Sequence, residues 1–165
     1  MPATLPTPIE FRLPEGWLPA GPDGLGAEHA AFVAVHSEPD AGFAATIAID
    51  GEMLTDAVSP AHLADESVQR LREVAASVVV TDRREVETVE APALTQRLVF
   101  STVADGALRD LVQSQVYLFM SDVEDSRKQA VIRLILTASV SQHGTVLRDF
   151  QEFVRTVRPD TGTGF

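Results

Sequence analysis

The sequence predicts an α+β domain, a mostly antiparallel sheet with two main helices packed on it as an α/β/α sandwich. Three observations carry that expectation. Two stretches, Ser59–Ala75 and Thr145–Val157, repeat apolar residues at helical spacing. Phe43–Asp50 and Gln129–Ser141 alternate apolar with smaller or polar residues, the period of a half-buried strand. Between residues 78 and 141 strand-like segments follow one another without a helix, so hairpins join them and neighbours run antiparallel.

Residues 1–9 are proline-spaced and expected to be flexible, and 160–165 form a short flexible tail around a single domain over 10–159. Glu10–Trp17 reads as a short strand and turn, and Gly21–Gly26 as a loop. Ala30–His36 and Phe43–Asp50 follow as strands. Ser59 is a natural N-cap, and Pro60 suits the first helical position. Ala64, Val68, Leu71 and Ala75 then form one apolar stripe. Four strands come next: Val78–Val89, Ala93–Thr102, Arg109–Met120 and Gln129–Ser141. Asp105-Gly106 is a hairpin turn, and the acidic loop Ser121–Arg127 joins the last two strands. In the final strand Ile132, Leu134, Leu136, Ala138 and Val140 share one face, and Arg133, Thr137, Ser139 and Ser141 the other. Thr145 caps the terminal helix, Val146, Phe150, Phe153 and Val157 face the core, and Pro159 ends it.

This order of elements resembles the PsbP-like superfamily, which spans the PsbP, Mog, DcrB and LpqN types. The opening Phe11-Arg-Leu-Pro-Glu-Gly-Trp17 is similar to the Pro-x-Gly-Trp entry of those proteins. The resemblance covers about residues 10–159. It implies a compact sandwich used as a binding or accessory module, and it brings no shared catalytic set to transfer. The LpqN-type members are lipoproteins, whereas this sequence has no cysteine for a lipid anchor.

Composition narrows the chemistry. The 165 residues are enough to bury about 70% of the unfolded chain's surface. The 24 acidic against 13 basic residues give a net charge of −11, which repels phosphate backbones and anionic membranes. No nucleic-acid partner and no membrane insertion are expected. With no cysteine there is no disulfide, thiol nucleophile or thiolate metal site. The first twenty residues lack the apolar run of a signal peptide, which points to the cytoplasm. Twelve arginines, one lysine and no asparagine suggest a GC-rich bacterial source.

Local motifs for chemistry are sparse. His36-Ser-Glu38-Pro-Asp40 offers hard or borderline metal ligands, yet no second histidine lies at helical spacing and Pro39 restricts the loop. His62 and Glu66, one turn apart, read as a surface pair. Asp122, Glu124 and Asp125 lack the glycine and ordered ligands of a calcium loop. Gly24-Leu-Gly26 is a lone G-x-G, and Ser141-Gln-His143, at an expected strand end, matches no serine nucleophile motif. No cofactor, metal or catalytic residue is expected.

One sheet face carries more information. Thr95, Arg97, Gln113, Gln115, Tyr117, Arg133, Thr137 and Ser139 fall at alternating strand positions. If the strands pair in order, Arg97, Gln113, Gln115, Tyr117 and Arg133 form a candidate interaction face, rich in residue types favoured at interfaces. A simply solvated sheet face is the plainer reading. The first expectation for function is a non-catalytic bacterial accessory or adaptor domain, acting through a protein partner or self-association. The alternative is a small-molecule-binding domain with a pocket between helix 59–75 and the sheet, and a hydrolase comes third.

Overall fold

The computed structural model describes residues 9–20, 30–39, 43–54, 59–87, 92–104, 106–121 and 129–159. The elements run β1 (Ile9–Glu10), β2 (Trp17–Ala20), β3 (Phe32–His36), β4 (Thr46–Leu54), α1 (Pro60–Val74), β5 (Ala76–Glu87), β6 (Pro92–Ala104), β7 (Ala107–Ser121), β8 (Gln129–Ser139), α2 (Val140–Thr156) and β9 (Arg158–Pro159). Seven strands form one antiparallel sheet in the order β2-β3-β4-β8-β7-β6-β5. The two short strands β1 and β9 pair with each other. The expected α+β class is the observed one.

The helices lie on opposite faces, and strand alternation explains why. On one face Leu63, Ala64 and Val68 of α1 pack over Leu94, Leu98 and Phe100 of β6 and Leu111, Tyr117 and Phe119 of β7. On the other, Val146, Phe150 and Phe153 of α2 pack over Ile47 and Ile49 of β4 and Ile132, Leu134, Leu136 and Ala138 of β8. Burying each large apolar side chain contributes about 1.5–3 kcal/mol, so the two layers fix strand register firmly. Central β8 is buried continuously from Ala130 to Leu134, because helices flank it on both sides.

Helix α1 begins as the sequence predicts. The Ser59 hydroxyl accepts from the His62 amide at 3.1 Å, and Pro60 occupies the first turn. The junction to β5 is irregular. Ser77 adopts a left-handed φ of 56°, and pairing with β6 slips between Ala76 and Val79.

Three boundaries differ from expectation. Trp17–Ala20 is a strand, kept at the sheet edge where Pro19 is tolerated. Ile9 pairs with Pro159 and so belongs to the ordered fold. Strand β8 stops at Ser139, which caps α2 by accepting from the Gln142 amide at 3.2 Å. Val140, Ser141 and His143 therefore belong to the helix, and Thr145 lies inside it. Residues 1–8 and 160–165, Gly24-Leu-Gly26, His29, Asp40 and the Asp122–Asp125 stretch fall outside the described residues. Among the described residues no helix is long and apolar enough to cross a membrane.

Candidate interaction surface

The two-residue turn that joins β6 to β7 decides which side chains share a face. Ala104 pairs with Ala107, so odd-numbered β6 residues stand opposite even-numbered β7 residues. Arg97 therefore faces Ser114 on the α2 side, whereas Gln113, Gln115, Tyr117 and Arg133 lie on the α1 side. Arg97 is separated from the rest of the expected face by the thickness of the sheet. That expectation is corrected in a second respect, since Tyr117, Gln115 and Arg133 are 0%, 2% and 7% exposed.

Instead of a surface they form a buried polar ladder. Arg83 of β5 donates to Asp65 of α1 at 2.7 Å and, from two nitrogens, to Gln96 Oε1 at 3.0 and 2.8 Å. Gln96 Nε2 donates to Gln115 Oε1 at 2.6 Å and to the Ala64 carbonyl at 3.2 Å. Gln115 Nε2 passes the bond to Gln113 Oε1, and Gln113 Nε2 donates to Thr137 Oγ1 at 3.1 Å. The Tyr117 hydroxyl donates to Gln115 Oε1 at 3.0 Å. Burial raises the Tyr117 pKa, although Ser67 and the charge of Arg133 oppose the rise. Beside it, Arg133 Nε donates to Asp50 and its guanidinium lies 3.5 Å from Glu52. Burial opposes the Arg133 charge, but Asp50 prevails and raises its pKa. Each polar group satisfies the next, as burial requires. The ladder locks four strands and α1 together.

The α2 face has a different character. A row of cross-strand partners runs Ala138–Val112–Val99–Val79 from β8 to β5. Exposure climbs along it, from 0% at Ala138 and 6% at Val112 to 55% at Val79, as the sheet passes out from beneath α2. Nearer the turn, Val103 and Leu108 are cross-strand partners, 69% and 73% exposed. Val140, at the start of α2, is also exposed. Polar pairs alternate with the apolar ones of this strip along β6 and β7: Ser101, between Val99 and Val103, donates to Asp110 at 2.6 Å, and Arg97, half-buried, donates from Nε to Ser114 at 3.4 Å. Sequence alternation did not isolate the strip, because valines in strands read as core unless the helix position above them is known. The signal was the length of β5–β7 against a single covering helix.

The residues considered for chemistry are dispersed. His36 Nδ1 lies 3.2 Å from both backbone polar atoms of Glu38, and its ring meets Trp17 edge-on at 5.0 Å. His62 and Glu66 form an exposed pair at 2.8 Å. His143 Nε2 lies 2.9 Å from Ser114 Oγ beneath α2, a serine–histidine contact that spans 29 positions of sequence. Among the described residues no group of three His, Asp or Glu could hold a metal ion.

No protein-family model matches the chain, and no curated protein matches it. Solved structures do. LpqN of Mycobacterium tuberculosis, described as involved in cell envelope biogenesis, superposes with a TM-score of 0.62 at 18% identity, covering 96% of this chain and 89% of LpqN. The Saccharomyces cerevisiae Ran-binding protein Mog1p gives 0.56 at 15% identity over 93% and 92% of the two chains. PsbP from Synechocystis gives 0.57 at 13% identity over 92% and 86%. The chain has the PsbP/Mog1-like fold.

Proposed function

We propose that this chain is a non-catalytic protein-interaction domain, and that its contact surface is the part of the sheet that α2 leaves uncovered on β5, β6 and β7. The carrying observation is the exposed Val103–Leu108 pair, on the same face as the Val79–Val99 row and separated from it by the Ser101–Asp110 pair. Exposed large apolar side chains interspersed with polar ones on one sheet face support a protein contact over a merely solvated face. Arg97 belongs to the rim of this surface. Gln113, Gln115, Tyr117 and Arg133 lie on the other side of the sheet, where their hydrogen bonds and ion pairs tie the strands together. The space between α1 and the sheet is filled by Leu63, Val68, Leu94, Tyr117 and Phe119, which favours contact over encapsulation of a small molecule. One protein of the same fold, Mog1p, is described as Ran-binding, which supports this reading.

The test is capture by the tagged chain from native-host lysate, with a mass determination of the purified protein. A stoichiometric partner, or a second copy, should be held by the wild type and lost on Val103→Glu/Leu108→Glu. Retention by that variant would overturn the assignment of the surface.

A further inference from the structure

The start of α2 is fastened to the sheet through an unusual contact. His143 sits four residues beyond the Ser139 cap and is 7% exposed, as is its partner Ser114. Ser114 Oγ accepts from Arg97 Nε at 3.4 Å and lies 2.9 Å from His143 Nε2. The serine hydroxyl accepts from Arg97 and bonds the imidazole as donor or acceptor according to the ring tautomer, so a neutral ring completes the series Arg97 to Ser114 to His143.

A second proton on that ring would place a positive charge at a buried position beside the Arg97 guanidinium. Arg97 is the charged group that faces it from β6, and β7 and β8 offer Ser114 and the apolar Leu136 and Ala138. The first turn of α2 carries no acidic residue, and the helix N-terminus is itself the positive end of the dipole. Carboxylates of α2, β7 and β5 have other partners: Asp149 accepts from the Trp17 indole at 3.0 Å, Asp110 from Ser101, and Asp82, opposite Arg97, lies 3.4 Å from Arg84.

We infer that His143, Ser114 and Arg97 form an acid-sensitive clasp, whose protonation releases the first turns of α2 and enlarges the apolar surface around Val112. Burial, and then the charge of Arg97, lower the His143 pKa from its ordinary value of 6.5. The direction of the effect follows. The unfolded or released state takes up a proton near the ordinary histidine range while the clasped state does not, so the clasp is fully stabilising above that range and weakens as pH falls through it toward the lowered folded value.

Hydrogen exchange on the full chain tests this across pH 8 to 5, with rates corrected for intrinsic chemistry. Amides of 140–147 should lose protection in acid while those of 148–156 keep theirs, and His143→Gln should abolish the difference. The His143 ring resonances of the wild type provide a readout that needs no variant, and should titrate below the ordinary histidine value of 6.5. Uniform loss of protection along α2, equal loss in His143→Gln, or a His143 titration at or above the ordinary histidine value of 6.5 would each overturn the clasp.

Discussion

Val103 of β6 stands directly opposite Leu108 of β7, and both are more than two-thirds exposed. Such a pair gains little from folding, since most of its apolar area stays in water. Val103→Glu/Leu108→Glu should therefore leave stability within about 1 kcal/mol of wild type in urea unfolding. A larger loss would mean that the pair is structural.

The polar ladder should behave in the opposite way. Gln115 serves Gln96, Gln113 and Tyr117 at once. Gln115→Leu leaves those partners buried without it and should cost about 2–3 kcal/mol, read from the denaturation midpoint at unchanged m-value. An unchanged midpoint would show that the ladder is dispensable.

Arg133 and Asp50 make a separable case. Both side chains are largely enclosed, so removing one strands the other. Asp50→Leu should cost about 3 kcal/mol or more, while Asp50→Leu/Arg133→Met should cost less than that single change. A double variant weaker than either single one would contradict the pairing.

Trp17 is 4% exposed and donates to Asp149. Its fluorescence should be blue-shifted and shielded from iodide, as the apolar contacts with the core require. Asp149→Ala should lower stability by about 1.5–3 kcal/mol, the usual worth of a hydrogen bond to a charged group. Red-shifted, freely quenched emission would contradict this placement.

Much of the fold was legible in the residues. Ser59-Pro60 marked α1, and the alternation of β8 set its core face. The end of β8 was misjudged because its alternation runs on through Val140 and Ser141, although Ser139-Val-Ser-Gln142 carries the S-x-x-Q spacing of a helix start. The interaction face was misplaced for a sharper reason. Alternation says which residues of one strand share a side, but only the turn says which side of the next strand they meet. The pairing of Ala104 with Ala107 sets odd against even positions and sends Arg97 to the α2 face. The Ser114–His143 contact had no local signal, since helix packing alone brings it together.

The most direct test of the contact surface compares matched exposed positions at the two ends of the sheet. Leu18 on edge strand β2 is 59% exposed and lies far from β6 in strand order. Tagged wild type, Leu18→Glu and Val103→Glu/Leu108→Glu would be compared for capture of the same partner or copy, at equal folded concentration. The account predicts capture by the first two and none by the third. Capture that survives Val103→Glu/Leu108→Glu and fails with Leu18→Glu would contradict it.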